Sequence, residues 1–154
     1  MSKSLVEEII QKIEQAVALY SRLVIIAAPS GSGKTSALQE IANRTGAPLI
    51  NVNLELSQRM LDLTERQRTL ASPQILAEII NNEKGNLILL DNIEILFDVS
   101  LKLDSLRLLQ GLSRNKTIVA SWSGSIEENF LTYAIPGHPE YKKYPIKDLI
   151  IVTE

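Results

Sequence analysis

The chain has 154 residues, 45% of them hydrophobic and 22% charged, with a net charge of −2 and no cysteine. That length suits one domain with a real core and is too short for two. The composition excludes disulfides, thiolate zinc sites and cysteine nucleophiles, and the charge gives no overall pull toward nucleic acid or an anionic membrane.

Taken in order, Ser4-x-x-Glu7 spells a capping box. Val6, Ile9, Ile10, Ile13, Ala16, Val17 and Tyr20 then recur at helical spacing. Within the N-terminal segment 1–20, residues 4–20 are therefore expected as an amphipathic helix packed on the domain. Glu7 and Glu8 argue against a signal peptide, and no apolar run approaches membrane-spanning length, so a cytoplasmic protein is expected. Leu23 to Ala28 reads as a strand. A helix follows from Lys34 to about Asn43, ended by Gly46 and Pro48. Residues 49–53 read as a second strand. Asn53 or Ser57 is expected to cap the next helix, and Ser72-Pro73 reads as a restart, with the proline at the first helical position. Residues 86–91 form an apolar third strand, of the kind covered on both faces. A helix from about Asp104 to Ser113, a fourth strand over 117–122 and a fifth over 149–152 complete the pattern. The stretch around Pro136-Gly137-His138-Pro139 fits no regular element. Alternating strands and helices predict an α/β fold. The expectation is a single P-loop-like three-layer sandwich over 1–154 with a five-stranded, mainly parallel sheet.

The chemistry gathers after the first strand. Ala28-x-x-x-x-Gly33-Lys34-Thr35 is the phosphate-binding loop pattern with alanine in place of the first glycine. Gly31 and Gly33 let the backbone curl so that successive N–H groups point at phosphate oxygens. Lys34 supplies a point charge for the outer phosphates, Thr35 a hydroxyl for Mg²⁺, and the following helix its N-terminal dipole. The expected nucleotide-binding residues are Pro29, Ser30, Gly31, Ser32, Gly33, Lys34, Thr35 and Ser36. Two rival readings are a degenerate dinucleotide fingerprint, with Glu55 as its ribose acid, and a plain polar strand-to-helix turn. Neither asks for Lys34-Thr35 in that place.

Asp91, at the end of the third strand, is the expected metal partner of Thr35. Many related ATPases place Glu directly after that Asp to polarise the attacking water. Here the residue is Asn92, which can orient water but cannot take a proton. Glu94 would share a face with Asn92 if the strand continued, and Glu55 is a second candidate base. Ser121 and Ser123 end the fourth strand, where a hydroxyl could sense a γ-phosphate. Arg107, Arg114 and the Arg59, Arg66, Arg68 group are candidates for trans-acting cations, and the last three for a local DNA-contacting patch. His138 reads as a turn or interface residue and Trp122 as core. Lys34, Glu94, Asn92 and Ser121 form the candidate catalytic set.

Taken together, the chain resembles the BrxF family of small P-loop proteins from type 3 BREX bacteriophage-defence systems. The likeness covers essentially the whole chain. It rests on the loop at 29–35, on the blocks at 50–57, 90–98 and 106–115, and on Leu131-Thr-Tyr-Ala and Pro136-Gly-His-Pro-Glu-Tyr141. The resemblance implies a cytosolic bacterial ATP-binding component acting beside a large ATPase, a DNA methyltransferase and a phosphatase-like protein. It implies no particular catalytic base. The fold expected of it has strand order 5-1-4-3-2 and no helical lid after the fifth strand. The expected ligands are ATP and Mg²⁺, with self-association or other defence proteins as partners, DNA reached only through partners or a local basic patch, and no membrane. The activity expected is slow or partner-stimulated ATP hydrolysis; the alternatives are a nucleotide-dependent assembly switch without hydrolysis and a DNA-contacting adaptor.

Overall fold

Strand β1 (Leu23–Ala28) is buried along its whole length, and the rest of the chain is layered around it. The computed structural model describes residues 4–29 and 31–153. β1 lies between β4 (Thr117–Glu127) and β7 (Ile150–Thr153), parallel to both. β3 (Leu87–Asp91) continues the sheet beyond β4, and β2 (Leu49–Asn51) closes that side. The parallel order β2-β3-β4-β1-β7 is the expected 5-1-4-3-2, with β7 as the fifth parallel strand.

Both faces of the sheet are covered, which is why its central strands carry unbroken apolar runs. Val24, Ile26, Leu89 and Val119 meet α1 (Leu5–Ala16) and α2 (Lys34–Thr45) through Ile9, Leu38 and Ile41. Ile25, Ile88, Leu90 and Ile118 meet α3 (Val52–Arg59), α4 (Glu65–Asn81) and α5 (Ser105–Leu112) through Leu56, Leu76 and Leu109. Lys116 fastens the end of α4 to the sheet, its Nζ donating to the carbonyls of Ile80 and Glu83.

Four features differ from the expectation. α1 keeps its Ser4 cap but ends at Ala16, leaving Val17 and Tyr20 exposed. The chain must turn there to enter β1. Arg22 N–H donates to the Ser113 carbonyl at 2.9 Å and the Arg22 carbonyl accepts from Ile118 at 2.8 Å, which docks that entry. β2 stops at Asn51, because Asn51 Oδ1 accepts from Leu54 N–H at 3.0 Å and so caps α3; neither Asn53 nor Ser57 does.

Pro73 lies inside α4 rather than opening a helix. The stronger start signal is nine residues upstream of Pro73, at Thr64. Thr64 Oγ1 accepts from Gln67 N–H at 3.2 Å while Gln67 Oε1 accepts from Thr64 N–H at 2.8 Å, a complete capping box. Pro73 cannot donate to the Thr69 carbonyl, a local loss in the helix interior. Burial of Leu76, Ile79 and Ile80 offsets it, as does a 2.8 Å bond from Thr69 Oγ1 to the Ser100 carbonyl.

The fourth difference is the largest. β4 runs five residues past Trp122, and its far half pairs antiparallel with β5 (Phe130–Tyr133). β5 pairs in turn with β6 (Lys142–Pro145), so the irregular stretch at 136–139 connects two strands of a seven-stranded sheet. An aromatic cluster roots this extension in the core. Phe97 and Tyr133 stack at 3.6 Å with planes 5° apart, and the Trp122 ring meets them edge-on at 5.0 and 6.2 Å. Trp122 Nε1 donates to the Thr132 carbonyl at 2.9 Å. Aromatic pairs of this kind add about 0.5–1.5 kcal/mol each beyond the area they bury.

Candidate functional site

Gly31 and Gly33 have φ of 80° and 94°, the left-handed backbone for which glycine was expected in the loop. Ala28 keeps strand geometry, so its Cβ meets no such demand. α2 begins at Lys34 immediately after Gly33, which turns its first N–H groups and the positive end of its dipole toward the loop. Lys34 is buried, and its Nζ braces the loop by donating to the carbonyls of Ala28 at 2.6 Å and Pro29 at 2.7 Å.

The carboxyl ends of β1 and β3 and the middle of β4, where its parallel pairing with β1 ends, meet above this loop in a cavity of about 330 Å³. Gly31, Gly33, Lys34, Thr35 and Ser36 line one side; Asp91, Asn92 and Glu94 line another; Ser121 and Ser123 complete the wall. Asp91 is the hub. Its Oδ2 accepts from Thr35 Oγ1 at 2.6 Å; its Oδ1 accepts from Ser121 Oγ at 2.7 Å and from Asn92 N–H at 3.0 Å. Three separate stretches of sequence are thereby joined at one buried carboxylate.

Most of the expected site residues converge here. Ser30 lies outside the described residues. Pro29 contributes its carbonyl to Lys34 and does not line the cavity, and Ser32 Oγ is buried without a hydrogen-bond partner among the described residues. Glu55 sits on α3 away from the cavity walls. Arg68 is engaged locally, donating to the carbonyls of Leu63 and Leu61, and Arg114 lies over the Tyr20 ring. His138 is a turn residue: its N–H donates to the Ile135 carbonyl and its Nδ1 accepts from Glu140 N–H. Glu94 reaches the cavity by a route the sequence did not suggest, because the strand ends at Asp91 and the chain then coils as a 3-10 helix over Ile93–Phe97.

Burial raises the Glu94 carboxyl above the ordinary value of 4.5, and the charge on Asp91 adds to the shift while Lys34 opposes it. Burial, with Glu94 and Glu140 nearby, pushes the Tyr133 phenol up to about 12. The neighbourhood of Tyr133 was not legible because the hairpin carrying it was not read.

The Glu94 shift has a definite sign for stability. The folded chain holds this proton above the pH at which the unfolded chain releases it. Stability from the neutral form is therefore complete below the ordinary carboxylate value and is lost as pH rises through the raised one. In thermal melts from about pH 4 to about pH 8, Glu94→Gln should gain Tm relative to wild type as pH rises through that window, then hold the gain. A difference independent of pH would contradict this.

Residues 24–113, from β1 through α5, match the ATPase family associated with various cellular activities (AAA). No curated protein matches the chain. No helix among the described residues is long and apolar enough to cross a membrane. The match spans more than half of the chain and contains both the glycine loop and the Asp91 hub, and the chain belongs to the AAA family, whose members share a nucleotide-binding ATPase domain.

Proposed function

We propose that the chain binds Mg²⁺ and ATP and hydrolyses ATP slowly, or faster in an assembly, as the cytoplasmic P-loop component of a BREX-type phage-defence system. The observation that carries the biochemical reading is the join of Thr35, Asp91 and Ser121 beside Lys34, at the N-terminus of α2. Each part has a place in phosphate chemistry. The loop and helix N–H groups take the β-phosphate, Lys34 exchanges the Ala28 and Pro29 carbonyls for the outer phosphate oxygens, and the Ser121 hydroxyl faces the γ-phosphate.

The donor set suits Mg²⁺. Thr35 Oγ1 and Asp91 Oδ2 are hard oxygens 2.6 Å apart. Among the described residues no three His, Cys, Asp or Glu side chains gather into a metal cage. That leaves the other positions to phosphate and water, as Mg²⁺ prefers. Thr35 and Asp91 would hold the ion, which when bound neutralises charge on the phosphoryl oxygens.

Support for the defence role is the likeness to BrxF over the loop and the blocks at 50–57, 90–98 and 106–115. Self-association or another defence protein is the partner this reading expects. Asn92, in the position of the usual acid, favours the second reading, a nucleotide-dependent switch without turnover. Titration with Mg-ATP and Mg-GTP, with phosphate release followed across protein concentrations, separates the readings. The expected result is saturable, Mg²⁺-dependent ATP binding with release per chain rising with concentration. ATP bound and intact after long incubation with its partners would favour the switch, and no saturable binding would overturn both. Phage protection that survives deletion of the chain from a complete system would remove the defence role.

A further inference from the structure

The position after Asp91 is where the usual acid is missing, and the backbone there is unusual. Asn92 has φ 53° and ψ 56°, the left-handed region that asparagine tolerates better than most residues. The turn is pinned from both sides. Asn92 N–H donates to Asp91 Oδ1 at 3.0 Å, and the Asn92 carbonyl accepts from Asn53 N–H at 3.0 Å. The 3-10 helix that follows buries Ile93, Leu96 and Phe97 and leaves Glu94 in the cavity wall with Lys34 and Asp91. Phe97, at its far end, is clamped by the Tyr133 ring.

Among the described residues two carboxylates line this cavity, and they are not equivalent. Both oxygens of Asp91 are engaged by Thr35, Ser121 and Asn92. Glu94 is held by backbone N–H groups of its own short helix and by no side chain of the Asp91 hub. We propose that Glu94, swung into the cavity by the left-handed turn at Asn92, is the carboxylate that takes the proton from the attacking water. Asn92 acts through its backbone, as the positioning residue for Glu94.

This inference rests on the ATPase reading. The water oxygen forms a bond to the γ-phosphorus as the bond from phosphorus to the β,γ-bridging oxygen breaks. ADP leaves with that electron pair, and the water proton passes to Glu94 and then to solvent, so that ATP and water give ADP, phosphate and one proton. A carboxylate in this role is worth about 10²–10⁴ in rate.

The test uses the full chain with Mg-ATP, measuring binding with a fluorescent ATP analogue and phosphate release separately. Glu94→Gln keeps the shape of the side chain and should bind ATP within about threefold of wild type while releasing phosphate at least about 100-fold more slowly. Asn92→Val resists a left-handed backbone and Asn92→Gly permits it. The valine variant should therefore lose more kcat than the glycine variant, with KM for ATP alike in the two. Turnover by Glu94→Gln within about threefold of wild type would overturn the inference. Equal losses in the two Asn92 variants would overturn the positioning role, and ATP bound by wild type without any release would overturn the whole. Failure of wild type to bind ATP at all would fall on the ATPase reading itself.

Discussion

Lys34→Ala should lose ATP binding by about 100-fold or more while the chain stays folded. The charged hydrogen bonds a lysine gives to phosphate oxygens are worth about 1.5–3 kcal/mol each, and two of them reach that factor. Lys34 is already held where the phosphates would lie, by the carbonyls of Ala28 and Pro29, so little side-chain freedom is lost when it changes partners. Its removal leaves those two carbonyls to water at the loop and leaves the apolar contacts of β1 and α2 in place. Circular dichroism should be unchanged, and titration calorimetry should show the loss. Affinity within threefold of wild type would mean the loop does not receive a triphosphate.

Gly124→Ala should be strongly destabilising, and of the glycines at 31, 46, 85, 111, 124 and 137 it alone has neighbours that an added methyl would strike. A Cβ built on Gly124 falls 1.8 Å from the Thr132 carbonyl oxygen and 2.9 Å from Trp122 Nε1, the two partners of one buried hydrogen bond. Both are fixed, one by the β5 backbone and the other by the aromatic cluster. The strands must separate where the sheet turns antiparallel, breaking that bond and easing Tyr133 off Phe97. Overpacking with loss of a buried hydrogen bond costs about 3 kcal/mol or more, or roughly 10 °C in Tm for a domain of this size. Glu94 rides on the segment that Phe97 anchors, so turnover should fall beyond the loss in folded protein. A Tm within about 2 °C of wild type would contradict this.

The parallel core was legible because its signals are local and redundant. Apolar runs such as Leu87–Leu90 fit only a strand covered twice, and the glycines at 31 and 33 sit beside a lysine that a plain turn does not need. The hairpin was illegible for the opposite reason. Its tight turn places a left-handed backbone on Glu128, with φ of 57°, where glycine or asparagine is the usual sign. The requirement for Gly124 comes from Thr132 and Trp122, which are apparent only once the strands are paired. Pro73 was misread because its local preference is weaker than the contacts of a long helix fixed at both ends, by Thr64 and by Lys116. Glu94 was assigned to the cavity on the premise of a continuing strand, and it arrives there because the strand stops.

The hub at Asp91 also bears on how quickly a ligand can settle. Thr35, Ser121 and Asn92 are already gathered on one carboxylate, so the polar wall needs no assembly when a phosphate arrives. Capture there is an exchange of one oxygen for another, with little chain entropy at stake. A phosphate arriving at this wall would therefore meet its polar partners already in place, as a preorganised site provides.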